Sequence, residues 1–323
     1  MKTALYPLKF VPILKEKVWG GTKLAQYFAK DGTGNIGESW ELSGVEGDVS
    51  VVANGALKGK TLSQLIQAYG VQLVGKEVFN DFGNTFPLLF KFIDAREDLS
   101  VQLHPDDQLA KERHNSFGKT EMWYIMHANT DARLVLGFNR KMNQKTYQKY
   151  LSEKKLPEIL HSEKVAVGDS FFIAPGTVHA IGAGVVLAEI QQTSDITYRI
   201  YDWDRPDTNG TLRELHNDLA IAAIDYKQPE AKLTHTNTEN EAILLCSKPY
   251  FETNKWVLTG RVQRSVQAIK SFVVYMCVDG SAMLETHQGS IAIAKGETVL
   301  IPADINEITF VTQEATFLEV YIP

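Results

Sequence analysis

A chain of 323 residues is too long for one small domain, and at roughly 100–200 residues per domain it predicts two domains or one large domain with insertions. Hydrophobic residues make up 44% and charged residues 22%, which excludes a disordered chain. A net charge of −6 without a basic stripe excludes a nucleic-acid partner, although a small anion could bind where a few Lys or Arg residues converge.

The amino-terminal segment predicts neither secretion nor membrane insertion. Its apolar stretch is interrupted by Pro7, Lys9 and Pro12, and no small-residue cleavage site follows. No apolar run in the chain approaches the roughly 20 residues that a membrane span needs. The two cysteines, Cys246 and Cys277, lie in apolar surroundings and are expected to be buried free thiols. We therefore expect a cytoplasmic protein with no membrane partner.

Short apolar or alternating runs, broken by Gly, Pro, Asn or Asp, dominate the chain and predict strands. In chain order they are residues 86–95, 121–128, 170–176, 184–192, 271–280 and 297–303. Strands of this length at close spacing favour an all-β sandwich or barrel. Four segments have helical spacing or capping patterns instead and predict helices that decorate the β core: 61–75, 105–115, 143–155 and 211–224.

A weak internal repeat predicts two related β units. Residues 165–181 and 292–308 each contain a Gly, an acidic residue, an apolar strand and a Pro before a turn. The first copy carries His179 and the second has no histidine at that place, so only the first unit is expected to bind a metal. Polar residues after position 235 resemble a linker. We therefore predict a metal-binding catalytic domain over 1–235 and a degenerate β domain without a metal site over 236–323.

Two histidines and a glutamate form the candidate metal site. His104 ends a predicted strand, with Gln102 two residues earlier on the same face. Glu121 begins the next strand, and His179 closes the turn of a G-D-x5-P-G-x-x-H pattern. Two imidazoles and one carboxylate from three strands can hold a divalent metal with open positions. The other histidines are not expected to bind the metal. His114 and His161 lie in polar helical or loop contexts, and no partner at ligand spacing is present for His127, His216, His235 and His287.

This pattern, with the upstream H…E pair, resembles the motifs of the cupin barrels. Beyond it, nearly the whole chain resembles the type I mannose-6-phosphate isomerases of the short bacterial form. The resemblance is carried by VWGG (18–21), GESWELSG (37–44), GKTEMWYIM (118–126) and the blocks at 87–107 and 174–205. It implies two cupin-type, double-stranded β-helix barrels with helical decorations. The long helical domain of larger family members is missing here, where only residues 139–160 intervene.

The resemblance also implies roles for individual residues. One Zn²⁺ per chain would be bound by Gln102, His104, Glu121 and His179. Gln102 is a weak neutral ligand that could instead support the others. An essential family arginine corresponds to Arg199, and pocket lysines correspond to Lys91 and Lys119. Asp195 corresponds to an acid to which some mechanisms assign proton transfer, and a Glu or His in another loop could serve equally well. The residues alone leave other readings open, namely an ion pair of Arg199 with Asp202 or Asp204 and a snorkelling edge position for Lys91.

The implied reaction interconverts D-mannose 6-phosphate and D-fructose 6-phosphate through a cis-enediol, so the expected partner is a small sugar phosphate. Asp195, Thr197 and Arg199 are predicted to share one face of a strand after the metal-bearing turn. Two alternatives are an iron-dependent cupin oxygenase and a non-catalytic cupin that senses a phosphosugar. The sequence does not predict the oligomeric state.

Overall fold

The computed structural model describes residues 3–30, 32–207 and 209–323. The strands between residues 13 and 233 are β1 (Ile13–Gly21), β2 (Ile36–Leu42), β3 (Leu88–Ala95), β4 (Val101–Leu103), β5 (Glu121–Ala128), β6 (Arg133–Phe138), β7 (Leu160–Lys164), β8 (Ser170–Ile173), β9 (His179–Ile181), β10 (Val185–Gln192), β11 (Tyr198–Tyr201) and β12 (Lys232–Leu233). The later strands are β13 (Ala242–Lys248), β14 (Phe251–Ser265), β15 (Val273–Thr286), β16 (Gly289–Ala294), β17 (Thr298–Ile301) and β18 (Glu307–Tyr321). The prediction of an all-β fold is confirmed.

Two antiparallel sheets face each other in the amino-terminal part. One has the order β1-β2-β3-β10-β5-β8-β12 and the other β11-β4-β9-β6-β7. Successive side chains of a strand point to opposite faces, so alternate residues of both sheets meet in the space between them. Apolar side chains such as Ile93, Trp123, Ile125, Ile181 and Leu187 fill part of this space. The remainder is a polar cavity, described below.

The carboxy-terminal part is a third sheet with the order β13-β14-β18-β15-β16, and β17 pairs with β15. Its long strands β14, β15 and β18 pair with register shifts. Such irregularities bend strands, and this sheet surrounds a separate hydrophobic core. Trp256, Leu258, Tyr275, Phe310 and Phe317 lie in that core. The domain boundary near 235–240 stays a prediction.

The outer face of the seven-stranded sheet packs against the carboxy-terminal sheet. Phe90, Phe92 and Met122 share one buried cluster with Val274 and Leu318. Strands β3 and β10 are therefore buried on both faces along their whole length. A sheet covered on both faces has nearly continuous apolar strands, which explains why these segments lack clear alternation in the sequence.

The helices in the described ranges are α1 (Lys23–Phe28), α2 (Leu62–Tyr69), α3 (Val71–Val74), α4 (Lys76–Phe82), α5 (Asp107–His114), α6 (Gln144–Ser152) and α7 (Asn217–Ile221). The helices predicted over 105–115 and 143–155 are present as α5 and α6. The one predicted over 61–75 has its Thr61–Gln64 capping box but divides at Gly70, whose φ of 50° breaks the helix. None of the helices within the described ranges has the length and apolar character required to cross a lipid bilayer.

The helix predicted over 211–224 is wrong for its first half. Only Asn217–Ile221 is α-helical, because the preceding residues make other contacts. Leu212 forms a β-bridge with Pro206, and the carbonyl of Glu214 accepts a hydrogen bond from Arg199. These tertiary contacts outweigh the local capping pattern. Both cysteines are buried and free, as predicted.

We expect Phe272→Ala to lower the free energy of unfolding by about 3–5 kcal/mol, because it leaves a cavity between the two parts of the chain. Phe272 is fully buried, and its ring centroid lies 4.7 Å from that of Phe86. The measurement is urea denaturation. Tyr27→Ala, at a side chain that is 56% exposed, is the control and should change the value by only about 0.5 kcal/mol. Equal effects of the two variants would contradict the packing described here.

Candidate metal and substrate site

A cavity of about 460 Å³ lies between the two amino-terminal sheets. Alternate residues of β1, β2, β3 and β10 form one wall, and residues of β4, β9 and β11 form the opposite wall. The polar and charged lining residues are Lys15, Lys17, Glu38, Lys91, Ser100, Gln102, Lys119, His179, Glu189, Asp195, Thr197, Arg199 and Arg213. A cavity with so many charged groups suits a polar, charged ligand.

His104, Glu121 and His179 come together beside this cavity. His104 follows the last residue of β4, and the other two begin β5 and β9. All three side chains are about 1% exposed. The Glu121 carboxylate lies 3.3 Å from His104 Nε2 and 3.8 Å from His179 Nε2. One ligand atom of each residue lies within 4.8 Å of the others, a spacing compatible with one metal ion.

Hydrogen bonds orient both imidazoles for metal binding. His104 Nδ1 lies 2.8 Å from the carbonyl oxygen of Ile196, and His179 Nδ1 lies 2.9 Å from that of Thr177. Since a carbonyl oxygen only accepts hydrogen bonds, each Nδ1 carries the proton and each Nε2 keeps its lone pair. A backbone acceptor behind a metal-binding histidine is typical of metal centres.

The atoms that point toward each other are left without directed hydrogen bonds. Within the described ranges, neither Nε2 atom nor either Glu121 carboxylate oxygen has a hydrogen-bond partner, although Lys119 Nζ lies 2.9 Å from Glu121 Oε1 as an ion pair. Buried polar atoms are normally satisfied, so four such atoms in one place need an explanation. A divalent cation fits this donor set of two imidazoles and one carboxylate.

The charges of this group also suit a cation. Burial lowers the pKa of His104 to about 3, with the Lys119 ammonium adding to the effect, and burial lowers the pKa of His179. Burial alone would raise the pKa of Glu121, but the Lys119 ammonium 2.9 Å away holds it well below its usual range. The group therefore consists of two neutral imidazoles and one carboxylate at neutral pH.

Arg199 lies on β11, in the cavity wall that faces β3 and β10. It has no carboxylate within 4 Å in the described part of the chain. Its guanidinium donates to the Glu214 carbonyl at 2.9 Å and to Ser100 Oγ at 3.3 Å. Asp202 instead accepts hydrogen bonds from Arg213 at 2.6 Å and from Arg205 at 3.1 Å. The alternative of an Arg199–Asp202 ion pair is therefore not observed.

The predicted strand around Asp195 is shorter than expected, since β11 begins only at Tyr198. Asp195 and Thr197 lie in the loop before it, because the chain leaves β10 and crosses to the other sheet there. Alternation along one strand is thus the wrong reason for their shared face. Both residues nevertheless line the same cavity as Arg199, and Asp195 is exposed.

Two descriptions of a known protein family match this chain, one in each part. The profile described as "Phosphomannose isomerase type I, catalytic domain" matches residues 7–119, and that described as "Mannose-6-phosphate isomerase, cupin domain" matches residues 242–322. The chain is 36% identical to the mannose-6-phosphate isomerase ManA of Bacillus subtilis over 93% of its length and 94% of the relative. The chain belongs to the type I mannose-6-phosphate isomerases.

Other mannose-6-phosphate isomerases are also similar to this chain over nearly its whole length. The chain is 33% identical to the enzyme of Streptococcus mutans over 94% of its length and 95% of the relative. The crystal structure of the mannose 6-phosphate isomerase from Bacillus subtilis superposes with a TM-score of 0.89, at 31% identity, over 98% of this chain and 99% of that one. The predicted cupin architecture of the family is thereby confirmed.

Gln102 joins the metal group to Arg199 in this family member. In the strand register it lies opposite His179 on β9 and opposite Arg199 on β11. Its side chain is half-buried in the cavity wall, where Oε1 accepts a hydrogen bond from Ser100 Oγ at 3.3 Å. Its role as a metal ligand stays a prediction.

Lys91 is a buried residue of a central strand, not a snorkelling residue at a sheet edge. Its ammonium lies 2.9 Å from Glu189 Oε1 and 2.7 Å from Gln191 Oε1. Burial opposes its charge, but Glu189 and Glu38 raise the pKa of Lys91. Glu189, which lines the cavity, is not among the residues predicted from the sequence. Alternation along β10 could identify Glu189 as an inward-facing residue only if it were known which face of that strand lies against the cavity.

The cavity is also lined at its rim by cationic side chains that were not predicted from the sequence. Lys15 and Lys17 project from β1 at alternate positions, and Arg213 comes from the loop before α7. Lys15 pairs with Asp48 at 2.5 Å and Lys17 with Glu38 at 3.3 Å. The alternation in LKEKVW was the available signal for these lysines.

We expect Lys91→Met to lower the free energy of unfolding by about 3–5 kcal/mol, because it leaves the Glu189 carboxylate buried and unpaired. Adding Glu189→Gln should restore much of the loss, since the pair is then removed together. Urea denaturation measures both effects. Lys164→Met, which breaks the exposed ion pair with Asp131, is the control and should cause no measurable change. A single variant as stable as the original protein would refute this assignment.

Proposed function

We propose that this chain catalyses the interconversion of D-mannose 6-phosphate and D-fructose 6-phosphate. The observation that carries the proposal is the buried group of His104, Glu121 and His179, which faces a charged cavity in a member of this isomerase family. Relatives that are 33–36% identical over nearly the whole chain are named as mannose-6-phosphate isomerases. A small sugar phosphate is the substrate class that follows.

In this proposal His104, Glu121 and His179 hold one Zn²⁺, and Gln102 supplies a fourth, neutral ligand. Nitrogen and carboxylate donors in a buried, partly open site are the ligands that zinc takes in enzymes. When bound, the metal would supply Lewis-acid polarisation of the sugar carbonyl. Lys119, 2.9 Å from Glu121, keeps that carboxylate ionised for ligation.

The isomerisation moves hydrogen between neighbouring carbons of the open-chain sugar. A proton leaves C2 and the C1 oxygen takes up a proton, giving the cis-enediol; the C2 oxygen then gives up its proton while a proton is added at C1, so that the C1 carbonyl becomes a hydroxyl and the C2 hydroxyl becomes the carbonyl. We assign this proton transfer to Asp195, which lines the cavity near the solvent. The Arg199 guanidinium, which no carboxylate neutralises in the described ranges, stabilises the oxygen that gains negative charge.

Lys91 and Lys119 are proposed to line the substrate pocket. Their charges are offset by Glu189 and Glu121, so they provide hydrogen-bond donors to sugar oxygens more than net positive charge. The substrate phosphate then meets the cations of the rim, where Lys17 and Arg213 face the same cavity. Both side chains are half-buried and each faces a carboxylate, Glu38 for Lys17 and Asp202 for Arg213, so they too would bind the phosphate mainly as hydrogen-bond donors.

The function is tested by a coupled assay of fructose 6-phosphate formation from mannose 6-phosphate. The protein is stripped with a chelator and then reloaded with zinc, with iron(II) or with no metal. Turnover that returns with zinc supports the proposal. Oxygen uptake with iron would favour the oxygenase, and tight sugar-phosphate binding without turnover would favour the sensor. The family membership argues against both alternatives.

We expect Glu121→Gln to remove most of the bound zinc and nearly all isomerase activity while the fold is kept. Glu121 supplies the negative charge among the proposed ligands, and an amide compensates a divalent cation poorly. Metal analysis after dialysis and the coupled assay measure the two losses, and circular dichroism checks the fold. Stoichiometric zinc with normal turnover in this variant would refute the ligand assignment.

We expect Arg199→Lys to reduce kcat by roughly 10²–10³ with normal zinc content and little change in KM. Lysine keeps the charge but lacks the planar fork of donors that can hold two oxygens at once. Steady-state kinetics and metal analysis separate the two effects. An unchanged kcat with a strongly raised KM would instead make Arg199 a phosphate anchor, and its catalytic role would have to be abandoned.

A further inference from the structure

A short segment, Gly118–Thr120, leads from the loop after α5 into β5 and carries the residues next to the metal group. Lys119 is its middle residue, and Glu121 follows it directly. The Lys119 amide donates to the Pro105 carbonyl at 3.1 Å. The Thr120 amide donates to Gln192 Oε1 at 3.0 Å. The position of Glu121 therefore depends on what holds this segment.

The Asp107 carboxylate holds the segment at its first residue. Its Oδ1 accepts hydrogen bonds from the Gly118 amide at 2.8 Å and from Gln192 Nε2 at 3.1 Å. A Cβ added to Gly118 would lie 2.5 Å from the Asp107 backbone nitrogen, so the segment packs directly against the start of α5. Asp107 thus joins α5, the segment and the end of β10.

The same carboxylate also contacts the carboxy-terminal part of the chain. Asp107 Oδ2 accepts a hydrogen bond from the Tyr250 hydroxyl at 2.6 Å. Tyr250 lies in the tight turn between β13 and β14, and its half-buried ring packs against the cluster shared by the two parts. Burial and the adjacent Asp107 raise the pKa of Tyr250 to about 12, so its hydroxyl remains a donor at neutral pH.

We propose that Asp107 is a positioning residue for Lys119 and Glu121, and that Tyr250 uses it to couple the carboxy-terminal barrel to the metal group. This inference rests on the proposed role of Glu121 as a metal ligand. It assigns a task to the barrel that carries no metal group of its own in the described ranges. A metal ligand must be held within about 0.5 Å of its productive position, and residues behind the ligands supply that accuracy.

The decisive comparison is between Asp107→Ala and its neighbour Asp106→Ala. Asp106 caps the same helix by accepting a hydrogen bond from the Leu109 amide at 2.8 Å, but it does not bond to the segment. Both variants weaken the start of α5, and only the first releases Gly118. The dissociation constant for zinc, measured by chelator competition with the metal alone, should rise about 10–100-fold in Asp107→Ala. It should be unchanged in Asp106→Ala.

A second measurement does not depend on zinc. Hydrogen–deuterium exchange of the peptide covering residues 115–121 in the metal-free protein should be faster in Asp107→Ala than in Asp106→Ala. If the unaltered protein binds no zinc, the proposed function fails while this comparison still tests the positioning. If that protein binds zinc and both alanine variants match each other in affinity and exchange, the positioning role is overturned.

Tyr250→Phe and Asp107→Asn separate coupling from folding. Tyr250→Phe keeps the ring, and we expect about threefold to tenfold weaker zinc binding with the same melting temperature. Asp107→Asn keeps an Oδ1 acceptor for Gly118 and should recover most of the affinity lost in Asp107→Ala. Tyr250→Phe added to Asp107→Ala should have no further effect, because the shared contact is already gone. Additive losses, or normal zinc affinity in Tyr250→Phe, would refute the coupling.

Discussion

The negative charge of Glu121, held almost fully out of water, is the constraint on which the site depends. A buried carboxylate is costly unless cations or donors compensate it. The Lys119 ammonium lies 2.9 Å away and compensates this charge, and a metal ion would fit between the carboxylate and the two imidazoles. The charge of Glu121 also affects Glu189, because burial and the nearby Glu121 raise the pKa of Glu189. Lys91 forms an ion pair with Glu189 at 2.9 Å. Lys119, Glu189 and Lys91 are thus arranged around the carboxylate of Glu121.

The seven-stranded sheet carries this arrangement because both of its faces are covered. Its inner face presents Lys91 and Glu189 to the cavity and Glu121 to the metal group beside it, and its outer face presents Phe90 and Met122 to the carboxy-terminal sheet. Strands packed on two sides move little, which keeps the charged groups in position. The carboxy-terminal barrel therefore supports the site through apolar packing as well as through the Tyr250–Asp107 hydrogen bond.

Much of the site could be predicted, and the residues that could not have a common physical reason. His104, Glu121 and His179 stand out because their residue types and turn pattern are specific to metal chemistry. Glu189 lies in a run of mostly apolar residues, and which of these side chains point to the cavity depends on the neighbouring strands. Arg213 lies in a segment whose capping pattern predicted a helix. The Tyr250–Asp107 contact joins residues 143 positions apart, a separation that local patterns do not encode.

The sequence by itself determined the β-rich class, the pair of related units, the residue types that could hold a metal ion and the family, because all of these depend on short patterns and on residue chemistry. Only the tertiary structure decided which charges neutralise one another and which remain free. Asp202 pairs with Arg213, so that Arg199 has no carboxylate within 4 Å among the described residues, while Lys91 becomes a buried partner of Glu189. Such pairings depend on distances between strands that are remote in the chain, so they exist only once the sheets have packed.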